Sequence, residues 1–115
     1  MPYNRGDVVL VLFPDSNLRT AKRRPALVVQ ADGLKTGLAQ TIVAMITSNL
    51  SRAGHASRVV VRISDPLGRQ TGLIADSVVM TDNLATVLDA EIDRAIGSYS
   101  GMPEVDSALR HTLGL

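Results

Sequence analysis

The amino-acid sequence predicts an α+β domain that is mainly β: a small, curled antiparallel sheet with short helices packed on it. Short apolar runs rich in β-branched residues recur over the first two thirds of the chain, and such runs are typical of strands. A helical spacing of apolar residues is found mainly near the C-terminus. The 115 residues contain no internal repeat or low-complexity linker, so we expect a single domain over 1–115.

Five segments account for the predicted strands. They are 7–13, 25–30, 41–47, 58–63 and 72–80, the last of which supplies one strand or a pair. Apolar and β-branched residues dominate each segment, and these residue types favour a pleated, half-buried surface. A polar loop with turn residues at its start joins the first two strands, and proline and glycine mark 65–68 as a turn.

Helices are predicted at three places. Apolar residues recur at four-residue spacing after Pro103, and proline is favoured at a first helical position. This pattern predicts a C-terminal helix over 103–113. A short helix is expected over 48–52, and a helical turn or two over 89–95.

Charge is distributed unevenly along the chain, although the net charge is only +1. Residues 1–72 carry ten Lys or Arg and four Asp or Glu, a balance of +6, and residues 73–115 carry two and seven, a balance of −5. A basic half is the expected footprint for a polyanion, because phosphate contacts supply most of the non-specific affinity for nucleic acid. Chance segregation of solvated charges is the alternative interpretation.

Composition argues against several kinds of chemistry. The chain has no cysteine, which excludes disulfides, thiolate zinc sites and cysteine nucleophiles and favours a reducing cytosol. His55 and His111 lack ligand spacing to carboxylates, so we expect no metal and no cofactor. No glycine-rich phosphate loop, signal-peptide pattern or apolar run of about 18 residues is present. We therefore expect a cytoplasmic location.

The cluster Lys22-Arg23-Arg24-Pro25 is the first candidate site. Its three cations end a polar loop and begin an apolar strand. Arg24 directly precedes a proline, which favours an extended backbone and holds the guanidinium at the start of the strand. The planar fork of donors suits a phosphate. A solvated basic loop is the alternative.

The segment Thr47-Ser48-Asn49 is the second candidate site. It directly follows the apolar residues 41–46 of the third predicted strand. Small hydroxyl and amide groups at the end of a strand can hold a phosphate oxygen or cap a following helix. From these residues alone, both uses remain open.

Several motifs together resemble the MazF/PemK/Kid toxins of type II toxin–antitoxin systems. The first two are Arg5-Gly6-Asp7-Val8-Val9-Leu10-Val11, with Phe13-Pro14, and Arg23-Arg24-Pro25-Ala26-Leu27-Val28-Val29. The later ones are Ile46-Thr47-Ser48, Thr71-Gly72-Leu73, Asp76-Ser77-Val78 and the closing Leu113-Gly114-Leu115. No single motif is specific, but their order and spacing carry the resemblance over almost the whole chain.

The resemblance implies the SH3-like antiparallel barrel of the MazF, Kid and CcdB toxins, a homodimer and a cognate antitoxin with an acidic segment. It also implies an mRNA interferase, a sequence-selective endoribonuclease that cuts single-stranded RNA, with Arg24 and Thr47 as catalytic residues. Some relatives instead use a histidine in the first loop with an arginine–aspartate pair. Residues 14–23 contain no histidine, so we carry over the arginine–threonine version.

A ribonuclease that needs no metal ion can use the 2′-hydroxyl of its substrate as the nucleophile, leaving a cyclic phosphate and a 5′-hydroxyl. Such an enzyme must orient the phosphate and stabilise charge on its oxygens. The predicted RNA contacts besides the catalytic pair are Arg19, Lys22, Arg23, Ser48 and Asn49.

Two other functions remain open at this stage. One is a gyrase poison of the CcdB type, which shares the fold but does not need an arginine–threonine pair. The other is a small barrel that binds RNA without cutting it. Incubation with RNA in excess EDTA separates the three, because only the nuclease yields discrete cuts.

Overall fold

Six antiparallel strands and a C-terminal helix form the framework of the chain, of which the computed structural model describes residues 3–14 and 21–115. The elements in chain order are β1 (Asp7–Pro14), β2 (Ala21–Val28), β3 (Gln40–Thr47), the 3-10 turn Leu50–Arg52, β4 (Arg58–Val61), α1 (Pro66–Arg69), β5 (Ser77–Leu88), the 3-10 turn Asp89–Glu91, β6 (Ile92–Ser98) and α2 (Met102–Leu113). The strands form one sheet in the order β4-β5-β3-β2-β1-β6. The predicted mainly β, antiparallel fold is confirmed.

Two strands differ in extent from their predicted segments. β2 begins at Ala21, because its pairing with β1 continues until Pro14 lies opposite Ala21. The cations of the first candidate site therefore lie within a strand, with exposed side chains. β5 begins at Ser77, later than predicted, and continues to Leu88.

The predicted helix over 89–95 is wrong beyond its first turn. Strand β6 begins at Ile92 and pairs with β1, with Ala95 opposite Val9. Pairing with a neighbouring strand outweighs a weak local preference for helix. The predicted turn over 65–68 is also replaced in part, because α1 covers Pro66–Arg69.

The predicted C-terminal helix is confirmed as α2. It ends at Leu113 and is capped by Gly114, which adopts the left-handed conformation with φ of 71°, a conformation that glycine adopts with little strain. Across residues 3–14 and 21–115, no helix has the length and apolar character needed to cross a membrane.

The sheet carries an apolar cluster on each face. Side chains alternate between the two faces of a strand. On one face the members are Val8, Leu27, Ala44, Ile46, Val59, Val61 and Val79, and they pack against Val105 and Ala108 of α2 and Tyr99. On the other face the members are Val9, Val11, Ala26, Val28, Val43, Val87 and Ile92. The candidate site lies at the edge of this second face.

Strand β5 bends where its register with β3 shifts. Ala44 lies opposite Leu84, but the next residue, Met45, lies opposite Met80. The three residues 81–83 therefore bulge out of the ladder, and such bulges bend strands. The hydroxyl of Thr81 donates to the carbonyl oxygen of Ser57 at 2.6 Å, which fixes the bend against the residue before β4.

Candidate active site

The site lies where β2 and β3 stop pairing. Their ladder joins Ala26–Val28 to Val43–Met45 and ends next to Pro25, which has no N–H to donate. On its other side, β3 continues to pair with β5 as far as Thr47 opposite Val78. A groove is therefore open at the ends of β2 and β3, while β5 holds β3 in place.

The groove has a volume of about 840 Å³. Its polar lining consists of Arg23, Arg24, Thr47, Ser48, Arg52, Ser77 and Asn83. Its apolar lining consists of Pro25, Met45, Ile46, Leu73, Ile74, Ala75, Met80 and Ala85. Ile74 is 97% exposed, so this lining offers an apolar surface to a ligand. Cations, hydrogen-bonding groups and apolar contacts together suit a polyanion that carries bases.

Arg24 and Thr47 belong to the same face of neighbouring strands. Ala26 and Met45 form the last pair of the ladder between β2 and β3. Arg24 lies two residues before Ala26, and Thr47 lies two residues after Met45. Side chains two residues apart in a strand share a face. Continuing the register by two residues brings Arg24 level with Thr47. Both side chains line the groove, so the structure brings the two predicted catalytic residues together.

The hydroxyl of Thr47 is oriented by the turn that follows it. Its Oγ1 accepts a hydrogen bond from the backbone N–H of Asn49 at 3.1 Å. Because this bond uses an acceptor lone pair, the hydroxyl proton is available to donate into the groove. Asn49 caps the 3-10 turn, since its Oδ1 accepts from the N–H of Ser51 at 3.1 Å and from the Ser51 hydroxyl at 2.7 Å. Of the second candidate segment, Thr47 and Ser48 line the groove, and Asn49 positions the turn.

The predicted RNA contacts on and before β2 have different surroundings. Arg23 lines the groove, but its Nε donates to Asp93 at 3.0 Å, and Arg94 pairs with the same carboxylate at 3.0 Å. These pairs are partly exposed, so they contribute little free energy and a phosphate can compete for Arg23. Lys22 is exposed and lies outside the groove lining. Arg19 lies outside the described residues.

Ion pairs join the basic and acidic halves of the sequence. They are Arg5–Asp106 at 2.6 Å, Arg23–Asp93 at 3.0 Å, Arg58–Asp82 at 2.8 Å and Arg62–Asp76 at 3.3 Å. Four cations of the basic half are therefore paired with carboxylates of the acidic half, so the net charge of residues 1–72 overstates the charge that is left for a polyanion. Within the part of the chain that the structure describes, neither Arg24 nor Arg52 has a carboxylate partner, so the groove contains two arginines that carry no ion pair.

Asp76 holds in place the apolar wall of the groove, which is the part of the lining that consists of Leu73, Ile74 and Ala75. Its Oδ1 accepts the N–H of Ile63 at 2.9 Å, and its Oδ2 accepts from Nη1 of Arg62 at 3.3 Å. The backbone hydrogen bond first, and then the Arg62 guanidinium, lower the pKa of Asp76, because both stabilise the ionised form. The carboxylate thus ties the segment before β5 to the end of β4.

Gly72 allows the same wall to approach β6. Its φ is 73°, and a Cβ at this position would lie 2.1 Å from the carbonyl oxygen of Ile96. Only glycine fits this approach. The segment that carries Leu73 and Ile74 into the groove is therefore held from two sides, by Gly72 and by Asp76.

Arg52 and Asn83 are groove residues that sequence reasoning missed. Arg52 is the last residue of the 3-10 turn, and the sequence predicted a short helix there without indicating which side chain faces the site. Asn83 reaches the groove from the bulge in β5. A change of register has no signature in composition, so no sequence signal marked Asn83.

The two histidines lie outside the groove lining. Their rings make an edge-to-face contact with centroids 5.9 Å apart, and Nδ1 of His55 lies 2.7 Å from the hydroxyl of Ser57. Within residues 3–14 and 21–115, no three His, Asp or Glu side chains are grouped so that they could hold a metal ion.

Comparison with known proteins identifies the family of the chain. A family model described as PemK-like, MazF-like toxin of type II toxin–antitoxin system matches residues 4–113. Endoribonuclease MazF2 of Mycobacterium bovis is 36% identical over 107 residues, which cover 90% of each chain. A solved endoribonuclease in complex with its cognate antitoxin, from a mycobacterial species, has a TM-score of 0.74 at 23% identity and covers 98% of this chain and 96% of that one. The MazE–MazF structure (Form-III) of Deinococcus radiodurans has a TM-score of 0.74 at 20% identity, over 100% and 99% of the two chains.

These similarities establish the fold and the family of the chain. The two solved structures, both below 25% identity, show that the fold is shared, and the expected toxin fold is confirmed. The family model and the curated relative extend over nearly the whole sequence. The chain therefore belongs to the PemK-like, MazF-like toxins of type II toxin–antitoxin systems, the family of the MazF-type endoribonucleases.

Proposed function

We propose that this toxin cleaves single-stranded RNA in the groove at Arg24 and Thr47, without a metal ion. The observation that carries the proposal is that these two side chains belong to one face of neighbouring strands and line one open groove. The guanidinium of Arg24 has no carboxylate partner among the described residues. It is therefore available for a phosphate, which it binds through two parallel hydrogen bonds.

The proposed reaction uses a nucleophile from the RNA itself. The 2′-hydroxyl loses its proton as its oxygen bonds to the adjacent phosphorus. The bond from phosphorus to the 5′-oxygen breaks and this oxygen takes up a proton, which leaves a cyclic phosphate and a 5′-hydroxyl. Arg24 stabilises the charge that develops on the non-bridging oxygens, and Thr47 donates one further hydrogen bond. Arginine stays protonated in proteins, so the role of Arg24 that the physics supports is electrostatic.

Single-stranded RNA fits the mixed lining of the groove. Sequence-selective recognition of RNA needs unpaired bases, because the deep groove of an A-form helix is closed to side chains. Met45, Met80 and Ile74 offer apolar surfaces to such bases. The hydroxyl of Ser48 and the amide of Asn83 offer hydrogen bonds to base edges.

The proposal extends to the partners and the location of the toxin. We propose that it acts as a homodimer in the cytoplasm and is inhibited by a cognate antitoxin. The mycobacterial relative was solved with its cognate antitoxin, and MazE accompanies MazF in the Deinococcus structure. An acidic segment of an antitoxin would meet the charges of Arg24 and Arg52, and its apolar side chains would meet Ile74.

Incubation of the purified chain with RNA in excess EDTA tests the proposal. We expect discrete cuts that carry 5′-hydroxyl and cyclic-phosphate ends, at rates that EDTA does not change, and no cutting of RNA held in a duplex. RNA that is bound but stays intact would identify a binding module instead. The absence of both binding and cutting would overturn the proposal.

A further inference from the structure

Arg52 is a cation of the groove that the proposed chemistry does not use. It reaches the lining from the 3-10 turn Leu50–Arg52, and Arg24 and Thr47 reach it from strands. Five described arginines pair with a carboxylate. They are Arg5, Arg23, Arg58, Arg62 and Arg94. Among residues 3–14 and 21–115, Arg52 has no such partner, so binding of an anion to its guanidinium does not first require an ion pair to break.

The backbone of Arg52 is held at both of its polar groups. Its N–H donates to the carbonyl oxygen of Asn49 at 3.1 Å. Its own carbonyl oxygen accepts from Nη1 of Arg58 at 3.1 Å, while Nη2 of Arg58 pairs with Asp82 at 2.8 Å. The hydrogen bond between Arg58 and Asp82 also lowers the pKa of Asp82, because it stabilises the ionised carboxylate. The structure thus fixes the backbone position from which the side chain of Arg52 extends, and Arg52 is an exposed residue of the groove lining.

The order of elements places Arg52 opposite Arg24. The sheet runs β4-β5-β3-β2. Arg24 lies on β2, Thr47 ends β3, and the turn with Arg52 packs against β5 and bonds to Arg58 of β4. β2 and β5 are two strand spacings apart, roughly 10 Å. Two cations therefore flank Thr47 from opposite sides of β3.

We propose that Arg52 binds the phosphate next to the scissile one, so that the RNA backbone crosses the end of β3 from Arg24 to the 3-10 turn. This inference rests on the proposed function, because Arg24 and Thr47 define the scissile phosphate. Arg52 binds the RNA backbone and does not take part in the chemical step. Its loss should therefore affect binding and leave the rate at saturating RNA nearly unchanged.

The test measures binding of a short RNA whose 2′-hydroxyl at the cut is methylated, with Arg52→Ala and the matched variant Arg110→Ala. Arg110 is exposed on α2 and lies outside the groove lining. We expect Arg52→Ala to bind roughly tenfold more weakly at low salt. We also expect the slope of log affinity against log salt to become shallower by about 0.7, the value of one phosphate contact on a single strand. With cleavable RNA, KM should rise and kcat should stay within about twofold of wild type. Arg110→Ala should change none of these values.

A scan of neutral methylphosphonate linkages then locates the contact. Neutralising one phosphate at a time should weaken binding of the wild type at several positions. For Arg52→Ala, the effect should vanish at one position only, adjacent to the cut. If the effect instead vanished at the scissile phosphate, or if it persisted at every position, the inference would be overturned. Equal RNA affinities of Arg52→Ala and Arg110→Ala would also overturn it. If the wild type neither binds nor cuts RNA, the proposed function itself fails.

Discussion

Arg24→Ala should lower RNA cleavage by about 1000-fold or more, with no change in thermal stability. Arg24 is exposed and belongs to neither apolar cluster, so its truncation leaves the core intact. The expected loss is large because a guanidinium that stabilises phosphoryl charge in the transition state contributes roughly 10³- to 10⁵-fold in rate. Single-turnover cleavage of one defined RNA, with a melting curve for each variant, measures both quantities.

Two matched variants identify the cause of that loss. Arg24→Lys keeps the charge but cannot form two parallel hydrogen bonds, so we expect it to remain strongly impaired. Arg23→Ala removes the neighbouring cation, which is paired with Asp93, and should cost only a few-fold in binding. Cleavage by a folded Arg24→Ala protein within tenfold of wild type would refute the catalytic assignment.

Thr47→Ala should lower cleavage by roughly 100- to 1000-fold, the usual cost of removing one donor aimed at developing charge. The hydroxyl has two tasks, because it also accepts the N–H of Asn49. Thr47→Ser keeps both and should restore most of the activity. Thr47→Val keeps the shape of the side chain and loses the hydroxyl, so it should behave like Thr47→Ala in the same cleavage assay.

A comparison with Arg52 separates the two tasks of Thr47. If loss of the hydroxyl acted only by releasing the 3-10 turn, Thr47→Val would weaken RNA binding and flatten its salt dependence, as we expect for Arg52→Ala. We expect binding of the methylated RNA by Thr47→Val to stay close to wild type while cleavage falls. Weakened binding with an unchanged rate at saturating RNA would show that Thr47 is a positioning residue.

The strands that form the groove were largely predictable from the sequence. Continuous apolar runs with β-branched residues placed β1 and β3 almost correctly, and the spacing after Pro103 placed α2. The Arg24–Pro25 step also predicted the extended backbone of Arg24, which lies in β2. The ladder with β3 ends next to this proline. Resemblance to a family then paired Arg24 with Thr47, which composition and spacing alone did not.

The remaining features depend on contacts between distant parts of the chain. β6 forms because its residues pair with β1, although their local pattern suggested a helix. Asn83 reaches the groove through a three-residue shift of register between β3 and β5, and a shift of register depends on both strands at once. The ion pairs between the two halves of the sequence likewise arise from tertiary packing, so counting charges along the chain overstated the basic half.

The most direct test of the central claim, that the groove cleaves RNA through the substrate's own 2′-hydroxyl, is a single substitution in the RNA. An oligonucleotide with 2′-deoxyribose on the 5′ side of a mapped cut is incubated with the wild-type chain in excess EDTA, beside the all-ribose oligonucleotide. The account predicts that cleavage at that bond stops while binding of the oligonucleotide is retained. Continued cleavage at the deoxy position would contradict it, because the nucleophile would then come from elsewhere.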